Sequence, residues 1–300
     1  MTAGEWRPTL IPDLVSPDIP FMRSVQDVLN PGVVLAFSPH FDDAVFSAGG
    51  LLSAAGRLDS FTVITIFGGQ PPSEISATAS AYHGTWGDLD SMVEVRRAED
   101  RAAIQLLGGQ HEHWDELDAI YRRQDDGRWL ITEATPTNHP TVHAASERLL
   151  LQRIVARIRR RLSEYEGGVV LAPASIGGHV DHARARDAVL EAVGADGRET
   201  WSVLLWNDLP YATHYDDAPP LLPPKYAVGP SFGVTIERDD WIRRIAASAT
   251  YSSQLKGMEW DGVSVPEQID RWATQRGRRN PLETFRVAEI SGRRGAWKRS

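Results

Sequence analysis

The segment Val33-Val34-Leu35-Ala36-Phe37-Ser38-Pro39-His40-Phe41-Asp42-Asp43 decides how this chain reads. Five consecutive apolar residues mark a strand buried on both faces. Proline ends it, and a histidine and two aspartates follow where a helical pattern begins. A second segment repeats the scheme: Val169-Val170-Leu171-Ala172-Pro173 runs on through Gly177-Gly178 to His179-Val180-Asp181-His182. Open α/β sheets gather ligands and chemistry at the carboxyl ends of their strands, where loops converge. Two strand ends that each deliver His and Asp point to one shared metal site.

Outward from these segments, strands and helices alternate. A helix runs from 43 to about 55, and a strand over 61–67 ends in Gly68-Gly69. A polar loop over 71–90 leads to an amphipathic helix over 91–107, stopped by Gly108-Gly109. A strand-like piece lies near 113–117, and the polar segment 121–140 reads as a surface excursion. Helices over about 144–164 and 181–193 flank the second motif strand. A strand over 201–206 leads into Asn207-Asp208-Leu209-Pro210-Tyr211; a Pro-rich turn at 218–224 and a helix over 239–254 follow. The tail after Gly257 is rich in Trp, Arg and Gly with little period, and is expected to be irregular. Strands alternating with helices of ten or more residues build βαβ units and a parallel sheet. The expected fold is α/β: a Rossmann-like α/β/α sandwich with a mostly parallel sheet, in one domain over 1–300, with a core over about 30–256 and an irregular C-terminal extension over 257–300. There is no repeat at a solenoid period.

Composition narrows the function. Of the 300 residues, 42% are hydrophobic and 24% charged, as in an ordinary globular protein. Forty acids against 32 bases give a net charge of -8, which argues against nucleic acid or an anionic membrane surface as partner. The only lysines are Lys225, Lys256 and Lys298, a coding bias with no function attached. With no cysteine, a disulfide framework and a thiolate zinc site are both excluded, so any metal must be held by His and carboxylate. Residues 1–14 lack a basic start followed by an apolar run, and no later stretch is long enough to span a bilayer. The expectation is a cytoplasmic protein without membrane insertion.

A catalytic zinc site takes three His or carboxylate ligands and leaves one position for water. His40, Asp43 and His182 supply that set, and Asp42 remains beside it as a carboxylate able to take a proton from the water. His179 would sit on the rim, where an imidazolium stabilises the oxygen of a tetrahedral intermediate. Asp181 would orient one of the imidazoles. Each residue has a plainer reading: either aspartate can cap the following helix, and a lone histidine after Gly-Gly is usually a solvated loop residue. The joint pattern favours the metal. His83, His111, His113, His139, His143 and His214 lack such company and read as surface or structural histidines.

Pro39-His40-Phe41-Asp42-Asp43 resembles the His-Pro-Asp-Asp-Glu signature of the LmbE-like or PIG-L superfamily of zinc-dependent N-acetylglucosaminyl deacetylases, and Gly178-His179-Val180-Asp181-His182 resembles its His-x-Asp-His motif. The similarity continues through Arg96-Arg97-Ala98-Glu99, Leu117-Asp118-Ala119-Ile120-Tyr121-Arg122, Asn207-Asp208-Leu209-Pro210-Tyr211 and Tyr251-Ser252-Ser253-Gln254, in the family's order over most of the chain. The resemblance implies that His40, Asp43 and His182 bind zinc, with ferrous iron as the alternative occupant. It makes Asp42 the general base and gives His179 the oxyanion or the leaving amine. It also places Arg96 and Asp118 on the substrate side, although Arg96 and Glu99 are spaced to pair on a helix. Phe41 stands where the signature has Pro, and Ala44 where it has an acid; neither is a ligand. The implied activity is removal of an N-acyl group, chiefly acetyl, from an amino sugar. The run from Pro39 to Phe46 is similar to the branch acting on glycosylated natural products such as glycopeptide antibiotics, so the expected partner is a small glycoside.

Two rivals belong to other classes. Two histidines and a carboxylate also describe a non-haem iron oxygenase, which has no need of the spare Asp42. A non-catalytic sugar- or nucleotide-binding module on a Rossmann-like scaffold is the other; no Gly-x-Gly-x-x-Gly follows the first strand to support it.

Overall fold

The computed structural model describes residues 22–29, 32–58, 60–86, 92–138, 145–196, 200–213, 222–255, 258–276 and 280–290. Among these, eight strands form one sheet: β1 (Met22–Arg23), β2 (Val33–Ser38), β3 (Phe61–Thr65), β4 (Gln110–His113), β5 (Gly168–Pro173), β6 (Trp201–Trp206), β7 (Tyr226–Thr235) and β8 (Leu282–Ile290). Their spatial order is β1-β7-β8-β6-β5-β2-β3-β4. Every neighbouring pair is parallel except the two involving β8, which runs against both β6 and β7. The helices are α1 (Val25–Val28), α2 (Asp43–Leu58), α3 (Ala77–Trp86), α4 (Met92–Leu106), α5 (Ala145–Leu162), α6 (Val180–Asp196), α7 (Arg238–Ser248), α8 (Ser252–Leu255) and α9 (Val265–Arg276), with 3-10 turns at Ala119–Tyr121 and Tyr211–Thr213.

The unbroken apolar runs of the central strands follow from burial on both faces. Alternate side chains go to opposite layers. Val34, Ala36, Leu171 and Leu204 pack with α2, α4 and α7 residues such as Leu51, Ile104 and Trp241. Leu35, Phe37, Val170 and Leu205 pack with Ile154 and Ile158 of α5 and Val189 of α6. The expected α/β/α sandwich with a mostly parallel sheet is therefore what the chain forms. From β2 the strand order runs outward through β3 and β4, and from β5 it runs the other way to β6. The adjacent carboxyl ends of β2 and β5 make the switch point where open sheets bind ligands.

Several expected elements differ. The tail read as irregular contains α9 and β8, and β8 lies inside the sheet. The helix read over 239–254 is two, α7 and α8, separated near Thr250 and Tyr251. The loop over 71–90 contains α3. The strand read near 113–117 is β4, three residues earlier; as an edge strand of sequence Gln-His-Glu-His it shows no apolar alternation. The 121–140 excursion has its own small core, in which Leu130 and Ile131 pack with Ile120, Tyr121 and Val180. The residues read as leaderless at 1–14, most of the Pro-rich turn at 218–224, and His139, His143 and His214 lie outside the described residues. Among the described residues, no helix is long and apolar enough to cross a membrane.

Helix α2 is interrupted at Ala48 (φ -136°). Backbone groups freed by a helix break need partners. The Gly50 and Leu51 amides donate to the Glu283 carboxylate of β8 at 2.7 and 2.9 Å. The Phe46 carbonyl accepts from Arg244 of α7, and Arg244 and Glu283 pair at 2.7 Å, both fully buried. Glycine at 49 and 50 makes room: a Cβ there would lie 2.8 Å from Arg244 Cγ and 2.7 Å from Ile236 Cγ2, respectively.

Candidate active site

The loop after β2 and the first turn of α6 meet above the sheet. His40, Asp43 and His182 each offer a ligand atom, all within 4.8 Å of one another. His40 Nδ1 is 3.2 Å from Asp43 Oδ2, and His182 Nε2 is 3.4 Å from Asp43 Oδ1. Each imidazole is aimed by its other nitrogen. His40 Nε2 lies 3.2 Å from Asp181 Oδ2, and His182 Nδ1 lies 2.6 Å from Asp208 Oδ1. With those nitrogens protonated toward the carboxylates, His40 Nδ1 and His182 Nε2 keep lone pairs for a cation, the arrangement metal-binding histidines adopt.

The donor set fits a divalent cation of the zinc or ferrous type. His182 Nε2 is buried and lacks a hydrogen-bond partner, as an atom reserved for a metal would. In the metal-free chain the carboxylates favour a positive charge on His40, a proton that a bound cation would displace from Nδ1. Burial works against a charged His40, yet Asp118, Asp181 and Asp43 hold it protonated well above the usual histidine range. Burial opposes ionisation of Asp43 too, but the His182 and His40 imidazoles pull it below the usual carboxylate range. A second grouping, His40 with His179 and Asp181, is equally compact. It is the weaker candidate because Asp181 is already engaged by Arg122 at 2.7 Å and the Ala119 amide at 2.9 Å.

Asp42 stays out of this exchange. Ser38 Oγ accepts the Ala44 amide at 3.1 Å, and Asp43 Oδ2 folds back to the His40 amide at 2.8 Å, so the helix start is satisfied without Asp42. Its Oδ2 is buried with no hydrogen-bond partner. Burial, then the charge of Asp43, push its pKa up to about 6.

His179 lies edge-on to His40 and tilted against His182, its ring centroid 5.1 Å from each. Burial, reinforced by positive charge at His40 and His182, pushes its pKa down to about 3. In the metal-free chain that shift favours the neutral ring over the imidazolium expected from sequence. Its Nδ1 accepts the Asp181 amide at 3.2 Å, which leaves Nε2–H as the donor.

The expected substrate-side residues divide. Asp118 caps the 3-10 turn through the Ile120 amide and has Oδ2 3.5 Å from His40 Nε2, so it borders the centre. Arg96 stacks its guanidinium 5.2 Å from the Phe41 ring, while Glu99, its proposed helical partner, accepts from Ser252 and Ser253. Phe41 meets the edge of His113 at 5.0 Å; His113 binds Asp100, and Asp100 binds the Tyr251 hydroxyl at 2.8 Å. The flanking Arg96 and Tyr251 motifs are therefore one contact chain behind the loop that carries Asp42. His83, read as lone, is buried against the Tyr121 hydroxyl.

Sequence reasoning gave Asp208 no role, although it follows the end of β6 as the motifs follow β2 and β5. It also missed Arg122, which bridges Asp181 and Glu147.

The chain resembles known proteins over most of its length. The 2'-N-acetylparomamine deacetylase of Streptomyces fradiae is 29% identical over 282 residues, covering 91% of this chain and 90% of that one. A crystal structure of a deacetylase–bog complex from the teicoplanin biosynthesis pathway superposes with TM-score 0.78 at 32% identity, covering 87% of this chain and all of the other. The zinc-inhibited form of the teicoplanin deacetylase Orf2 gives the same TM-score at 31% identity and the same coverage. The sequence profile of the PIG-L family, described as GlcNAc-PI de-N-acetylase, matches residues 35–193, from the first motif strand through the helix that carries His182. With both motifs inside that match and deacetylases among its relatives, this chain belongs to the PIG-L family.

Proposed function

We propose that this chain is a metal-dependent hydrolase that removes an N-acyl group, chiefly acetyl, from an amino sugar in a glycosylated natural product. The observation that carries the reading is the pairing of a compact His40/Asp43/His182 donor set with Asp42, a buried carboxylate left without a partner on one oxygen. Relatives described as a 2'-N-acetylparomamine deacetylase and a teicoplanin deacetylase support the substrate class.

His40, Asp43 and His182 would hold the metal, with Asp181 and Asp208 fixing the two rings. A divalent cation there polarises the amide carbonyl and acidifies the attacking water. Asp42 takes the proton from the water as its oxygen bonds to the carbonyl carbon. The neutral His179 donates its Nε2–H to the oxygen that gains charge. Asp42 then returns the proton to the nitrogen as the C–N bond breaks, releasing the carboxylic acid and the amine, between which the remaining proton passes to give carboxylate and ammonium. A non-haem oxygenase would leave Asp42 without a task, so it gains nothing from the geometry.

The test is metal content and acetate release on one preparation, reloaded in turn with zinc and ferrous iron because one relative is described in a zinc-inhibited form. About one metal per chain is expected in the wild type and in Asp42→Asn, and none in Asp43→Ala. Turnover of N-acetylated amino sugars should fall about 10²-fold or more in Asp42→Asn. Full turnover in the metal-loaded Asp42→Asn variant would overturn the assignment of the base.

A further inference from the structure

We propose that Arg122 decides where the metal sits: it reserves Asp181 for His40, and so keeps the cation on His40, Asp43 and His182 and off a second donor set made of His40, His179 and Asp181. This rests on the metal-dependent reading above. The two sets are equally compact, the ligand atoms of each lying within 4.8 Å of one another. They share His40, which faces them through opposite nitrogens. Its Nδ1 lies 3.2 Å from Asp43 Oδ2, and its Nε2 lies 3.2 Å from Asp181 Oδ2. A neutral imidazole carries its hydrogen on one nitrogen and a lone pair on the other. With a cation bound, a neutral His40 therefore serves one set at a time.

As ligands Asp43 and Asp181 are chemically equivalent, so the choice lies in what surrounds them. Asp43 Oδ2 accepts the His40 amide at 2.8 Å, while its Oδ1 faces His182 Nε2 at 3.4 Å, a nitrogen with no hydrogen-bond partner. Asp181, fully buried, is engaged on both oxygens: Oδ2 accepts the Ala119 amide at 2.9 Å, and Oδ1 lies 2.7 Å from Arg122 Nη1. Held in this way, Asp181 acts as the acceptor of His40 Nε2–H, which turns the Nδ1 lone pair toward Asp43. A metal ion added to Asp181 would also meet the guanidinium charge in dry surroundings, where like charges repel strongly.

Arg122 is fixed for this task. Its Nε and Nη2 donate to the two oxygens of Glu147 at 2.8 and 3.0 Å, and Nη1 donates to the Leu117 carbonyl at 2.8 Å. The Phe67 ring lies 5.2 Å from the guanidinium carbon. A planar fork anchored at two of its nitrogens leaves the third no freedom to swing away from Asp181. The consequence reaches His179. With the metal kept off the second set, its Nε2–H stays free for the substrate oxygen. Arg122 touches neither metal donor nor substrate, and is a positioning residue that acts through Asp181.

Zinc content after dialysis against a weak chelator tests the assignment. Asp43→Ala, with Arg122 in place, is expected to hold none. Arg122→Met/Asp43→Ala is expected to hold about one zinc per chain again, because Asp181 is released, and to lose it when His179→Ala is added. An Arg122 that only supports the fold would change the melting temperature and leave zinc dependent on Asp43 in every background, a result that overturns the proposal. Arg122→Met/Glu147→Gln, which leaves no lone carboxylate in place of the ion pair, is the background to use where Arg122→Met alone does not fold. Zinc-loaded wild type gives a reading that needs no variant: in long-range nitrogen–proton NMR, hydrogen on His40 Nε2 supports the proposal, and hydrogen on Nδ1 places the metal in the second set and overturns it. Wild type that retains neither zinc nor ferrous iron would sink the metal-dependent reading itself. Zinc held by wild type and by none of the Asp43→Ala variants would sink only the role of Arg122.

Discussion

Asp42 owes its freedom to Ser38. The Ser38 hydroxyl donates to the His40 carbonyl at 2.5 Å and receives the Ala44 amide, so a short side chain at the end of β2 does the capping that an aspartate would otherwise do. A base must be ionised to work, so the rate should fall as pH drops through the Asp42 pKa. Burial and Asp43 raise that value to about 6 in the metal-free chain, and a bound cation would move it down. The acid limb of kcat/KM is therefore expected at or below about pH 6, and a pH–rate profile with its limb above about 7 would point to another base. Asp208 offers a second test at this scale. Its two oxygens accept from His182 Nδ1 and from the Ile176 amide at 2.8 Å. Asp208→Asn would turn one of these acceptors into a donor facing a donor. Metal affinity should fall about 10- to 100-fold, measured by competition with a chelator.

At the scale of elements, α4 is held by the segment that begins at Tyr251. Glu99 accepts from Ser252 and Ser253, and Asp100, fully buried, accepts from Tyr251 and His113. Tyr251→Phe removes one of these partners and should cost about 1–3 kcal/mol in a denaturant melt while metal content stays unchanged. The linkage was invisible in the sequence because the two motifs stand some 150 positions apart. Where periodicity speaks, the reading was sound: β2, β5, β6, α4 and α5 follow from apolar runs or helical spacing. β8 failed that reading because Glu283 and Arg286 look like solvated residues. Both are buried, and Glu283 is balanced by Arg244 from a distant helix. The donor cluster was legible because its residues follow strand ends; Asp208 needed knowledge of which strands are neighbours.

At the scale of the whole molecule, Glu283 ties β8 to the helix that begins at Asp43. Glu283→Ala would leave Arg244 charged and unpaired in the core and two amides of α2 without acceptors. A loss of about 3–5 kcal/mol is expected, a large part of the roughly 5–15 kcal/mol that holds a typical domain together. A lowered melting temperature and reduced yield of folded protein would show it. The same tie has a temporal side. β8 separates β6 from β7, so the nascent chain carries both strands with bare facing edges until residues 282–290 have left the ribosome. Bare edges invite wrong pairing. The helix that starts at Asp43 therefore lacks the acceptor of its Gly50 and Leu51 amides until residue 283 has been made.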